Sequence, residues 1–266
     1  MRKRKDGFTL VELSIVLVII GLLIGGILVG QSMMETARIT KTIKMLGQFD
    51  AGVENFKTKY NYLPGDAPMF GGDGNGLIDS NPWGGSGTGY VAELGCESVN
   101  FWSNMMPQSF QGVSSPCPGS GVPGYSTGPL TNIPASPMGA PGAVFYATAL
   151  CCNAGGGYDD DPTVLQNWYS IVPGVQLQTL PSFGRYGPAL GYEAVTPAEL
   201  LALDQKMDDG SANTGNVIAG WITGWTSLQA GHSPSNCSVN STYSVSSSGY
   251  NCTPLIRIGT ESGDLQ

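Results

Sequence analysis

The chain has 266 residues, room for one large domain or two, and a mean hydropathy of +0.00. A formal charge of −8, with only 12% of residues charged, argues against nucleic acid or anionic lipid as a general partner. Gly (39) and Pro (18) bring the composition close to the loop-rich range, but six cysteines and 9% aromatic residues point to a stapled fold rather than a disordered chain.

Arg2, Lys3, Arg4 and Lys5 open the chain, Asp6 and Gly7 follow, and an apolar run extends from Phe8 to Val29 with Glu12 as its only charge. At the helical rise this run spans about 33 Å, the hydrocarbon thickness of a bilayer. The basic leader puts the N-terminus in the cytoplasm by the positive-inside rule, so the rest of the chain faces outward. A secretory signal peptide would end its apolar core at a small-residue cleavage site, whereas this core is long and contains an acid near its start. A carboxylate at the bilayer centre costs about 2.5–3.5 kcal/mol, and less near the headgroups. Two readings of Glu12 follow: an acid tolerated at the interface of a plain anchor, or a carboxylate that awaits a partner.

The leader ending in Gly7, then Phe8-Thr9-Leu10-Val11-Glu12 and the apolar run, resembles a class III prepilin signal. The chain is thereby similar to type IV pilins and type II secretion pseudopilins. The resemblance implies cleavage after Gly7 by a prepilin peptidase of the membrane, N-methylation of the new terminus at Phe8, and a role for Glu12 in assembly. In a filament the cationic amine of a neighbouring Phe8 would satisfy Glu12 and set the axial register. Removing residues 1–7 takes away four bases and one acid, leaving 8 Lys+Arg against 19 Asp+Glu and a formal charge of −11.

Gly21, Gly25, Gly26 and Gly30 form two small-xxx-small pairs that let membrane helices approach closely. They also weaken a helix, which suits the partial unwinding described for filaments of this family; ordinary packing of a lone anchor is an equal reading. From Gln31 to Tyr60 there is no proline, and Ile39, Ile43, Leu46, Phe49 or Asp50, Val53, Phe56 and Tyr60 recur at helical spacing. The membrane helix is therefore expected to continue into an amphipathic half, a rod of some fifty residues and about 80 Å. Pro64-Gly65-Asp66 ends it.

The segment Gly71-Gly72-Asp73-Gly74-Asn75-Gly76-Leu77-Ile78-Asp79 looks like the middle of a calcium loop, with Asp73, Asn75 and Asp79 as oxygen donors. An EF-hand alignment puts Gly71 and Pro82 where acids belong, so it is no EF-hand, and a plain turn competes with calcium. Residues 90–106 suit a short helix with Trp102 in the core, and the Pro/Gly/Ser-rich 107–141 an irregular wrap. Gly119, Gly121 and Gly124 match GxGxxG without the strand and helix a nucleotide site requires.

Ala143–Leu150, Trp168–Val172, Val217–Ile222 and, more weakly, Leu255–Ile258 have strand character and should form an antiparallel sheet against the rod, in an order the sequence does not reveal. Thr196-Pro197-Ala198-Glu199 is a helix start with a capping box, and the helix should run to about Met207. Asp204, Asp208 and Asp209 crowd its negative end, where cations are preferred, so compensation is required. Lys206 is one candidate and calcium, held by these acids and oxygens from Ser211 to Asn216, is another; a solvated acidic turn is the alternative.

The cysteines are Cys96, Cys117, Cys151, Cys152, Cys237 and Cys252, outside the cytoplasm and even in number, so disulfides are expected. Cys237 with Cys252 and Cys96 with Cys117 close short loops and are the first choices; the adjacent Cys151 and Cys152 stay unassigned. A C-terminal disulfide loop also resembles that of many type IV pilins. His232 is the only histidine, and no Walker, GxSxG or HExxH sequence is present, so no catalytic residues are assigned.

The expectation is an α+β, type IV pilin-like fold: a leader at 1–7, a long helix at 8–60 with 8–29 spanning the membrane or forming a filament core, and a globular head at 61–266. The resemblance implies a pilin or pseudopilin, no enzyme and no obligatory cofactor. Its partners would be other pilins or pseudopilins, the peptidase and an inner-membrane assembly platform. It would sit in the bacterial inner membrane before entering a periplasmic pseudopilus or an extracellular pilus. The large head suggests a minor or specialised subunit, and Glu12 argues against the secretion tip subunit that lacks this acid. The alternative is a membrane-anchored exported binding protein or enzyme that uses a prepilin-like signal.

Overall fold

The computed structural model describes residues 9–72, 74–78, 96–105, 133–151, 165–174, 193–220 and 236–259. Helix α1 is continuous from Leu10 to Tyr60, about 76 Å at the helical rise. No proline or side-chain cap interrupts it. Asn61, in the left-handed conformation, closes it by donating its N–H to the Lys57 carbonyl at 2.8 Å, three residues before Pro64.

The two halves of α1 differ in what they bury. Every residue from Leu10 to Val29 is exposed, and this is the one helix among the described residues that is long and apolar enough to cross a membrane. Further along, Ile39, Thr42, Leu46, Asp50, Val53 and Phe56 are buried at spacings of three and four, with Ile43 and Phe49 packed against the same core.

Helix α2 spans Cys96–Met105 and helix α3 Pro197–Met207. Among the described residues six strands follow in chain order: β1 Ala143–Cys151, β2 Leu165–Pro173, β3 Val217–Gly220, β4 Ser238–Val239, β5 Thr242–Tyr243 and β6 Thr253–Arg257. Among the described residues the main sheet is antiparallel throughout, in the order β1-β2-β6-β3, so the last strand of the chain lies between β2 and β3. Strands β4 and β5 make a separate hairpin whose turn residues, Asn240 and Ser241, both have positive φ, as a tight two-residue hairpin turn requires.

Side chains alternate across the sheet with the strand period. Phe145, Ala147, Tyr169, Ile171, Val217 and Ile256 join the core with α1, α2 and α3, whereas Trp168 and Leu255 form a small cluster with Ile218 on the opposite face. Phe49 is the hub between helix and sheet, with ring centroids 4.8 Å from Trp102, 5.1 Å from Phe145 and 5.9 Å from Tyr169. Trp102 is thus a core residue, as its position in α2 suggests. This is the α+β, pilin-like architecture expected from the sequence.

Candidate functional site

The start of α1 is capped by its own sequence. Thr9 Oγ1 accepts from the Glu12 N–H at 3.3 Å, while Glu12 Oε2 accepts from the Thr9 N–H at 2.8 Å and from Thr9 Oγ1 at 2.9 Å. Glu12 is therefore engaged before any neighbouring helix arrives, unlike the lonely carboxylate the sequence suggests. The T-x-x-E pattern that marks the start of α3 is present here too, hidden in apolar surroundings. Gly7 and Phe8 lie outside the described residues.

An added Cβ at Gly21, Gly25, Gly26 or Gly30 would meet nothing within 4 Å, so no contact among the described residues requires glycine there.

On the inner half of α1 both alternatives of the pair Phe49 and Asp50 turn inward. Asp50 Oδ1 accepts from Tyr169 Oη at 3.0 Å and from the Gly259 N–H at 2.9 Å, tying the helix to β2 and to the end of β6. Burial, and then the charge of Asp50, push the Tyr169 hydroxyl well above its ordinary pKa.

The C-terminal disulfide joins Cys237 to Cys252, with Cα atoms 5.1 Å apart. It encloses the β4–β5 hairpin, and both ends of α3 hold it. Val195, just before α3, exchanges backbone hydrogen bonds with Cys252, and the buried Tyr243 donates to Asp204 Oδ2 at 2.7 Å. Cys96 and Cys151 belong to α2 and β1 but their side chains are not described; Cys117, Cys152 and His232 lie outside the described residues.

Asp204, Asp208 and Asp209 offer carboxylate oxygens within 4.8 Å of one another. The loop that follows supplies compensation of a kind the sequence does not show, namely its own backbone N–H groups. Gly210 donates to Asp204, Asn216 and Val217 donate to Asp208, and Ser211 and the Thr214 hydroxyl donate to Asp209. Gly215, at φ 85°, passes so close to the Asp208 carboxylate that a side chain would collide with it. Burial raises the pKa of Asp204, whereas the bonds from Thr214 and Ser211 lower that of Asp209.

In the candidate calcium loop, Asp73 and Asp79 lie outside the described residues. Asn75 Oδ1 accepts from the Leu77 N–H at 2.7 Å, an Asx turn, and Asp66 Oδ2 accepts from Gly76 at 3.1 Å. Asp66, read from the sequence only as part of a helix stop, is buried at the centre of this turn.

Residues 2–28 match the family model described as the prokaryotic N-terminal methylation motif. No curated protein and no solved structure matches the chain. The motif suggests a structural protein rather than an enzyme, a substrate of prepilin peptidase that assembles with other pilins, and with the bare apolar helix it fits membrane anchoring before assembly. On an α+β, pilin-like fold, the chain carries the prepilin-type cleavage and methylation signal of type IV pilins and pseudopilins.

Proposed function

We propose that this protein is a structural subunit, minor or specialised, of a type IV pilus or a type II secretion pseudopilus. The observation that carries the reading is the division of α1: apolar and wholly exposed from Leu10 to Val29, then locked into the head from Ile39 to Phe56. A bare apolar helix needs lipid before assembly and neighbouring helices after it. In this reading the leader 1–7 is removed after Gly7, Phe8 is methylated, and residues 8–29 pass from the inner membrane into the filament core through the assembly platform. The head, from residue 61 onward, faces the periplasm or the cell exterior.

The test is mass spectrometry of the mature N-terminus, combined with sedimentation of sheared filaments. The expected result is a methylated Phe8 terminus recovered with filaments. An uncut Met1 terminus would return the chain to the class of anchored binding proteins or enzymes.

A further inference from the structure

A cavity of about 700 Å³ opens between the last turns of α1, the turn around Asn75 and Gly76, and the ends of β2 and β6. Its size falls within the range of small-molecule sites, about 300–1,000 Å³. Its walls carry the carboxylates of Asp50, Glu54 and Asp66 against the cations of Lys57 and Arg257, together with Asn61 and Asn167.

Several of these groups are held in place by the fold. Asp50 is anchored by Tyr169 and Gly259, and Asp66 by Gly76. Asn167 is oriented from both ends of its amide: Oδ1 accepts from the Ile78 N–H at 2.8 Å and Nδ2 donates to the Gly76 carbonyl at 3.0 Å, leaving the amide a second proton for a ligand. Tyr62 adds an aromatic ring to the wall, and Gly74 and Gly76, both at positive φ, bring backbone to its surface.

The composition selects a ligand class. Three carboxylates against two cations disfavour a phosphate or another polyanion. Eight charged or amide side chains set among apolar ones such as Val53, Leu63 and Ile258 disfavour a wholly apolar ligand. Lys57 and Arg257 disfavour a bare metal ion. Preset donors and acceptors of near-balanced charge beside an aromatic ring match a ligand whose every group both donates and accepts, that is, a hydroxyl-rich one. We propose that this cavity binds a neutral saccharide, a mono- or oligosaccharide lying along α1 between Glu54, Lys57 and Asn167. The proposal concerns the single folded chain and does not depend on whether that chain assembles into a filament.

The test uses the full chain in a detergent without sugar groups, with saturation-transfer NMR and titration against glucose, galactose, mannose, N-acetylglucosamine, maltose and lactose. At least one sugar should bind saturably. Glu54→Gln and Lys57→Met, both at exposed positions of α1 where the fold tolerates change, should each weaken that binding about tenfold, the loss expected for a hydrogen bond to a charged group. Lys41→Met, exposed on α1 but outside the cavity, should leave it unchanged. Binding of none of the six sugars would overturn the proposal. So would sugar binding that survives both cavity variants, or saturable binding of inorganic phosphate in place of sugar.

Discussion

Glu12 caps α1, and two substitutions separate that cap from the assembly role proposed for it. Its carboxylate oxygen Oε2 accepts from the Thr9 N–H at 2.8 Å, which together with the Glu12 N–H donated to Thr9 Oγ1 closes the capping box, and also from the Thr9 hydroxyl at 2.9 Å. Glutamine preserves the acceptor and hence the box, whereas alanine forfeits it, at about 1 kcal/mol. That loss is offset by the gain from taking a carboxylate out of the apolar segment, which near the headgroups is below the roughly 2.5–3.5 kcal/mol of the bilayer centre, so both variants should insert and be processed. The proposed pairing with a neighbour's Phe8 amine is of another size. At about 4 Å and an effective dielectric near 20 it is worth about 4 kcal/mol, roughly a thousandfold in each subunit's association equilibrium. Glu12→Gln should therefore fail to form filaments as completely as Glu12→Ala, while both accumulate in the membrane with a processed terminus. The assay is immunoblotting of sheared-filament and membrane fractions, with the N-terminal mass as the processing control. Normal filaments from Glu12→Gln and none from Glu12→Ala would refute the ion pair and leave the residue as a helix cap.

Asp50→Ala should destabilise the head by about 2–5 kcal/mol, because the Tyr169 hydroxyl and the Gly259 N–H both lose their acceptor, and Tyr169→Phe by about 1.5–3 kcal/mol; urea melts rank the two. The Cys237–Cys252 bridge closes a 15-residue separation and should contribute about 3 kcal/mol, so Cys237→Ser with Cys252→Ser should lower Tm by about 6–12 °C for a head of this size. Asp204 titrates above its ordinary range, so its contribution to stability is full at low pH and declines as pH rises through the raised value; Asp209, held low, acts in the opposite sense and loses its contribution only as pH falls through its lowered value. Asp204→Asn should remove the decline on the rising side, seen as a flatter plot of Tm against pH. Apart from Asp208 Oδ1, calcium at this cluster would have to share oxygens that already accept from Gly210, Ser211, Thr214, Asn216, Val217 and Tyr243, so the expected Tm is the same in calcium and in chelator. A calcium-dependent rise of several degrees, lost in Asp208→Asn, would reverse that expectation.

Most of the elements could be read in the sequence because their signals are local. The helical spacing from Ile39 to Phe56, the Thr196–Glu199 box and the apolar, β-branched runs around Phe145, Tyr169, Val217 and Ile256 depend only on neighbours a few residues away. The order of the strands depends on pairing between distant segments, and nothing near Leu255 announces that β6 inserts between β2 and β3. The compensation of Asp208 is similarly silent, because the donors are backbone N–H groups of Asn216 and Val217, which any residue but proline would supply. Thr9 and Glu12 were legible in principle. Their capping pattern is that of α3, but the position of Glu12 within an apolar run draws attention to its charge instead of its hydrogen bonds.

Asp50 shows how a polar residue can give α1 a single seat on the head. The apolar contacts of Ile39, Leu46 and Val53 recur every seven residues, and a stripe of this kind permits the helix to slide by two turns with much of its burial intact. The bonds from Tyr169 and Gly259 do not permit it. A slide in one direction would bring Ile43, which accepts nothing, opposite these two donors, and a slide in the other would bring Lys57, itself a donor. Each shift takes the Asp50 acceptor from the buried Tyr169 hydroxyl, at about 1–3 kcal/mol, and from the part-buried Gly259 N–H, at less, where the correct seat satisfies both. A buried polar contact thus supplies what the apolar stripe lacks, an axial register. If the chain is a filament subunit, as proposed, that register would set how far the head stands from the membrane before assembly and its height along the filament after it.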